Sequence, residues 1–83
     1  MFINRNILED DMEANGFVQR LKEAHTHSEK IKIIFQYPSS DRAIVKRGKV
    51  IRVFENSFDF EDIYDGLVSF SYNFIVEIKE ERA

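Results

Sequence analysis

Alternation of apolar and polar residues across segment 30–37, in which Ile34 is the exception on the polar face, predicts a β-strand with one buried face. The apolar side is formed by residues at every second position: Ile31, Ile33, Phe35 and Tyr37. Pro38 ends the segment, because proline has no backbone N–H with which to continue a ladder. The other predicted elements are arranged around this strand.

Further segments of the same kind follow, and residues typical of turns separate them. These predicted strands cover 42–54, 58–64, 67–72 and 74–79. Gly48 lies in the middle of the longest segment and predicts a β-bulge or a sharp bend there. Asp65-Gly66 is the strongest hairpin signal in the chain. The pattern therefore predicts a mostly antiparallel sheet of about five strands.

A helix is predicted ahead of the strands, over residues 9–27. Its narrow apolar stripe recurs at three- and four-residue spacing: Ala14, Phe17, Val18, Leu21 and Ala24. The acidic residues within 9–13 suit the N-terminal end of a helix, and the two histidines suit its C-terminal end. Asn15-Gly16 is a weak point, at which the helix could divide into two pieces.

The chain of 83 residues has room for one domain with a single core. Residues 1–8 form an N-terminal segment for which a pairing strand, an apolar anchor and a partly ordered tail remain alternatives. The domain itself is predicted to cover 9–79, and the charged tail 80–83 is expected to fray. Apolar residues that occupy the same phase of the alternation on successive strands predict the core. These are Ile33, Phe35, Val53, Phe60, Phe70 and Val76, with Phe17 and Leu21 closing one end.

The order of these elements, a helix and then strands with a glycine in the second, resembles that of the Sm-like small barrels. The chain is also similar to the bacterial YolD-like and WYL-type domains, in four segments: 33–37, 48–51, 58–62 and 75–78. The tryptophan-tyrosine-leucine triplet that names the WYL domains is absent. The resemblance implies an α+β, mostly-β fold, in which a helix caps a strongly bent sheet of the Src-homology-3 type. It also implies self-association or, more weakly, a ligand-sensing regulatory role.

Composition limits the chemistry, the cellular location and the partners expected for the domain. The chain contains no cysteine, which excludes a disulfide framework, a thiolate zinc site and a cysteine nucleophile. Small secreted domains usually need disulfides, so we expect a cytoplasmic location. No apolar run approaches the length of a membrane span, and we expect no membrane association. The net charge of −3 gives the whole molecule no attraction to nucleic acid.

A cluster of cations in the second predicted strand is the strongest candidate for a binding site. Five positions between 42 and 52 are basic and none is acidic: Arg42, Lys46, Arg47, Lys49 and Arg52. On a bent strand they could form one positive patch for nucleic acid, with Phe54 and Tyr64 as the nearest aromatic residues for stacking. The alternative is that they neutralise Asp59, Glu61 and Asp62 across the sheet. The acidic character of the whole chain favours this alternative.

No constellation of residues indicates catalysis, a metal site or a cofactor. The acidic residues within 55–65 do not follow the register of a calcium loop. His25 and His27 are two positions apart, which does not suit one face of a helix. Ser69 and Ser71 lack the glycines of a nucleophile elbow. The sequence therefore predicts neither an enzyme nor a cofactor-binding protein.

Apolar segments at the predicted sheet edges favour contacts with other proteins. Phe2-Ile3 and the segment 74–78 carry few charges that would prevent edge pairing. We therefore predict a small cytoplasmic protein-binding or assembly module, which acts through a protein partner or through self-association into a dimer or ring. Nucleic-acid binding through the basic strand is the alternative function.

Overall fold

The computed structural model describes the backbone of residues 5–81 and the side chains of residues 16–81. One α-helix, α1 (Arg5–Thr26), precedes the strands of this part of the chain. The strands are β1 (Ile31–Phe35), β2 (Ile44–Val53), β3 (Ser57–Asp62), β4 (Gly66–Ser71) and β5 (Ile75–Glu80). A short 3₁₀ helix, Tyr72–Phe74, joins β4 to β5. This arrangement confirms the α+β, mostly-β class. The predicted edge segment Phe2-Ile3 lies outside the described residues.

The five strands form one antiparallel sheet in the order β4-β3-β2-β1-β5. The central strand β2 is also the longest, and β1 pairs with both β2 and β5. Between residues 5 and 81, no ladder joins β4 to β5, so the sheet is open and these two strands are its edges.

Helix α1 is continuous through Asn15-Gly16 and begins at Arg5, ahead of the predicted start. Gly16 costs a helix only about 1 kcal/mol relative to alanine, and burial of Leu21 and Ala24 anchors the helix on the core. The earlier start places the acidic residues beyond the first turn of the helix, so the prediction that they lie at its N-terminus is wrong.

The end of α1 is formed by a residue in a left-handed conformation. Ser28 has φ of 51°, and the N–H of Glu29 donates to the carbonyl of Ala24 at 2.9 Å. The N–H of Ser28 also donates to the carbonyl of His25 at 3.2 Å. These two hydrogen bonds form a Schellman motif, in which glycine is the usual left-handed residue. Serine at this position gives little sequence signal for the end of a helix.

The core lies between α1 and one face of the sheet. Its buried apolar residues are Leu21, Ala24, Ile31, Ile33, Phe35, Val50, Phe58, Phe60, Tyr72 and Ile75. Of the predicted core, Ile33, Phe35, Phe60 and Leu21 are fully buried. The remaining predicted residues, Val76 excepted, pack against this cluster and are partly buried: Phe17, Val53 and Phe70. Alternation along β1 therefore identified its buried face correctly.

Val76 is 55% exposed, so its predicted place in the core is wrong. The ladder between β1 and β5 changes register at this point, because Ile34 pairs with Glu77 whereas Phe35 pairs with Ile75. Val76 is the extra residue of the resulting irregularity, and a bulge shifts the phase of the strand that contains it. Ile75 is buried instead.

Gly48 allows β2 and β3 to approach closely. A Cβ atom at this position would lie 1.8 Å from the carbonyl oxygen of Glu61, where no side chain fits. The register shift between β2 and β3 lies between Val50 and Arg52, not at Gly48 itself. Glycine is therefore required here by the distance between the two backbones, and the bulge follows further along the strand.

Candidate functional site

The predicted basic residues occupy different parts of the molecule. Arg42 is exposed in the loop before β2, where its N–H donates to the hydroxyl of Ser40 at 3.2 Å. Lys46 pairs in register with the buried Ile33, so it lies on the core side of the sheet. Arg47 and Lys49 alternate with it and lie on the outer face, which is the side of the sheet opposite the core. One strand therefore distributes its cations over both faces.

Lys46 is held by an acidic residue of the same chain. Its ammonium group forms an ion pair with Asp65 in the turn between β3 and β4. The hydrogen bond to Asp65 raises the pKa of Lys46, against the opposing effect of partial burial. This cation therefore stabilises the turn and is already neutralised.

Lys49 and Arg52 face acidic residues across the sheet. Their Cα partners in β3 are Glu61 and Asp59, respectively. Opposite charges at such positions attract by about 0.2–1 kcal/mol, as the charge-neutralising alternative requires. Within residues 16–81, neither cation forms an ion pair within 4.0 Å. The side chain of Asp59 instead accepts a hydrogen bond from Ser69 at 2.5 Å.

Arg47 has a different neighbourhood, because its partner on β1 is also a cation. Lys32 of β1 is the Cα partner of both Arg47 in β2 and Lys79 in β5. We call Lys79, Lys32 and Arg47 the cation row. Directly opposed side chains lie on the same face with Cβ atoms about 4.5–5.5 Å apart. The row therefore places three like charges side by side on the outer face.

Acidic residues reach only the two ends of the cation row. Glu77 lies 3.8 Å from the Lys79 ammonium, and Glu81 lies 3.7 Å from Nε of Arg47. Both of these cationic side chains remain about half exposed, at 51% and 45%. Lys32, at the centre, forms no ion pair within 4.0 Å in the described part of the chain. The sequence analysis missed Lys32 and Lys79, because only the strand register brings them beside Arg47.

The carboxylate of Asp62 fixes the turn beside the row. It is 4% exposed and accepts backbone hydrogen bonds from Arg47 at 3.1 Å, Tyr64 at 3.0 Å and Asp65 at 2.8 Å. Burial raises the pKa of Asp62, but the backbone donors and Lys46 outweigh it and hold the pKa below its usual value. Asp62 therefore fixes the backbone of the turn, and it also faces the basic strand, because its Cα partner is Gly48 of β2 and it attracts Lys46.

The hairpin predicted at Asp65-Gly66 is confirmed. Strands β3 and β4 pair along their length, and Ile63, Tyr64 and Asp65 form the connecting turn. Gly66 has φ of 74°, a left-handed conformation that glycine adopts without steric cost. The third predicted strand ends at Asp62, two residues earlier than expected, because its carboxylate accepts the N–H groups of the turn.

Replacing Asp62 by Asn should lower the free energy of unfolding at pH 7 by about 2–3 kcal/mol, because the backbone donors lose a charged acceptor. The folded pKa is below the unfolded value of about 3.9, so this stabilisation is present above that pH and is lost as the pH falls through the folded pKa. Urea unfolding should therefore show the parent and the variant converging below about pH 4. Asp41→Asn, in the exposed loop, is the control, and equal stability of both variants at pH 7 would contradict this role.

Apolar residues are exposed at one end of the sheet. Ile63, Tyr64 and Leu67, in and beside the β3–β4 turn, are 59%, 84% and 65% exposed. At the opposite edge, a groove of about 580 Å³ lies between α1 and β5. Its lining consists of Gly16, Phe17, Arg20, Ile75, Val76 and Ile78. Both features are shallow surfaces near the edge strands rather than enclosed cavities.

Among the described residues, no group of three or more His, Cys, Asp or Glu side chains could hold a metal ion. No helix in the same part of the chain has the length and apolar character needed to cross a membrane. The fold defines a small α+β domain built mainly of one antiparallel sheet. Comparison of the chain with protein-family models, with curated proteins and with solved structures finds no match.

Proposed function

We propose that this protein is a small, non-catalytic assembly module of the cytoplasm, which associates with further copies of itself through the edge of β4. The observation that carries the proposal is the character of that edge. β4 (Gly66–Ser71) lies at one end of the sheet and contains no charged residue. Exposed edges of monomeric proteins are usually protected by charges, proline or bulges, because unpaired backbone groups otherwise recruit another strand.

An exposed apolar side chain on this edge supports the same proposal. Leu67 on β4 is 65% exposed. A second chain that paired with β4 would cover apolar surface as well as satisfy the free backbone groups. The second copy is preferred as the partner because each copy also supplies another open edge, β5.

The geometry of pairing decides the size of the assembly. Pairing of β4 with β4 would make a two-fold dimer, whereas pairing of β4 with β5 of the next copy would make a ring or an open chain. The order of elements along the chain, a helix and then strands with a glycine in the second, resembles that of the Sm-like barrels, which assemble by edge pairing. This resemblance supports the ring, with the sheet bent into an Sm-like barrel in each copy.

Light scattering on the full chain at high micromolar concentration tests the proposal. The parent should have a mass that is a multiple of the 9.8 kDa of one chain. Leu67→Lys should shift it towards one chain, because a lysine on an edge strand opposes pairing. Ile63→Lys makes the same change of charge in the turn, outside β4, and should leave the mass unchanged. Since both residues are exposed, neither variant should melt much earlier than the parent.

A parent that remains monomeric at this concentration would contradict self-association. Loss of assembly in both variants would show that the contact uses the apolar turn as well as the edge. Retention of assembly in Leu67→Lys would place the contact elsewhere, with the edge of β5 as the next strand to alter.

A further inference from the structure

The cation row is unusual because it places repulsion inside a regular sheet. Like charges directly opposite each other destabilise a pair of strands, and here Lys32 faces a cation on both sides. The other cations of β2 on the outer face, Lys49 and Arg52, each face an acidic residue of β3. Lys32 forms no ion pair within the described residues, and the ion pairs of Lys79 and Arg47 are about half exposed. Such a row is understandable where an external anion binds, since local consistency is commonly broken at functional sites.

We infer that the cation row binds the phosphate backbone of a single-stranded nucleic acid that lies across β5, β1 and β2. Neighbouring strands are about 4.8 Å apart, so the row is about 10 Å long. This length spans about three phosphate steps at the axial spacing of about 3.4 Å along a nucleic-acid strand, and fewer steps when the strand is extended. The row therefore matches a linear polyanion.

The surroundings of the row favour a strand over an anionic membrane. On one side, the neighbouring residues of the outer face are Glu77, Ile34 and Val45. On the other side, Lys30, just before β1, and Lys49 of β2 continue the positive strip, with Glu81 beside Lys30 and Glu61 opposite Lys49. The strip is therefore narrow and bordered by the carboxylates of Glu77, Glu81 and Glu61. A flat anionic surface would meet those carboxylates, whereas a single strand can follow the strip alone.

Apolar and aromatic groups lie where bases would rest. Ile34 and Val45 are directly opposed on the outer face beside the row, and Val45 is 46% exposed. At the other end, the N–H of Ile63 donates to the carbonyl of Arg47 at 2.9 Å, which brings the turn next to the row. The adjacent Tyr64 is 84% exposed and offers a ring for stacking. An acidic peptide would make no use of such rings and apolar groups.

This inference is separate from self-association, because edge pairing uses the backbone groups of β4, and of β5 in a ring, whereas the row consists of side chains on the outer face. It also differs from the basic strand seen in the sequence. Only Arg47 belongs to both sets, and Lys46 is neutralised by Asp65 on the other face. The ligand is recognised by its charge and its bases, without readout of sequence.

Fluorescence anisotropy with a labelled oligothymidylate of about 12 nucleotides, within the usual site size of a small domain, tests the inference. Three phosphate contacts predict that affinity falls about 18-fold between 50 and 200 mM salt, since each contact contributes about 0.7 to the log–log slope. Lys32→Gln should bind more weakly and should lose only about 7-fold over the same range. Lys22→Gln removes the same charge from the exposed side of α1 and should keep the parent's 18-fold loss.

Weaker binding by Lys32→Gln cannot be attributed to loss of folding. The substitution relieves repulsion between like charges, so the variant should melt at or above the melting temperature of the parent. Absence of binding by the parent at 50 mM salt would overturn the inference. Equal weakening by both variants would also overturn it, since binding would then depend on total charge. Tighter binding to polyglutamate or to vesicles with anionic lipid, with the same dependence on Lys32, would assign the row to a different polyanion.

Discussion

Replacing Phe58 by Ala should lower the free energy of unfolding by about 3–5 kcal/mol, which is the usual cost of truncating a buried phenylalanine. Phe58 is fully buried at the centre of an aromatic cluster. Its ring centroid lies 5.5 Å from that of Tyr72, 5.8 Å from Phe70, 6.3 Å from Phe60 and 6.5 Å from Phe35. Small domains are stable by only about 5–15 kcal/mol, so a parent near the bottom of this range would become largely unfolded in the variant.

Thermal and urea unfolding followed by circular dichroism measure this effect. Phe54→Ala is the matched control, because the Phe54 side chain is 47% exposed. Its truncation should cost less than about 1 kcal/mol, in line with surface substitutions. If both variants unfolded with the midpoint of the parent, the assignment of Phe58 to the centre of the core would be wrong.

Replacing Gly48 by Ala should cost about 4 kcal/mol or more, since large losses of this kind arise from overpacking and backbone strain. The new Cβ atom would lie 1.8 Å from the carbonyl oxygen of Glu61 and 2.9 Å from its carbonyl carbon. Both atoms belong to the backbone of β3, so no side chain can rotate away. Relief requires β2 and β3 to separate, which breaks the ladder at the centre of the sheet.

The other glycines are internal controls for this prediction. Nothing lies within 4 Å of a Cβ atom added at Gly16 or Gly66. Gly16→Ala, within α1, should therefore stabilise the protein by about 1 kcal/mol. Gly66→Ala should cost about 1–2 kcal/mol, because φ of 74° is left-handed. A Gly48→Ala variant as stable as either control would show that the two backbones are further apart than the structure places them.

The two functional proposals use different groups, which makes them compatible. Self-association pairs the backbone of β4, and of β5 in a ring, and would leave the side chains of the cation row on the outer face of each copy. Several rows on one assembly would bind a long strand more tightly than a single row, because the later contacts become intramolecular. Leu67→Lys and Lys32→Gln therefore test the two surfaces one at a time.

Local patterns in the sequence determined which elements form. Alternation over 30–37 identified the buried face of β1, because side chains of a strand point to opposite sides whatever the strand pairs with. The Asp65-Gly66 pair identified the hairpin, because it meets the conformational needs of a tight turn. The limits of α1 were less accessible, since residues 1–8 have no regular period and Ser28 replaces the usual glycine at the helix end.

The pairing of strands determined which side chains lie together on each face of the sheet. Register is not contained in the pattern of one strand, and a shift of one residue exchanges the two faces. The irregularity opposite Ile34 and Phe35 exposes Val76, which has the phase of a core residue in the sequence alone. Lys32 and Lys79 likewise become neighbours of Arg47 only because β1 pairs with both β2 and β5. Burial along β1 could be predicted locally, whereas the phase of β5 and the cation row depend on contacts between strands that are distant in the chain.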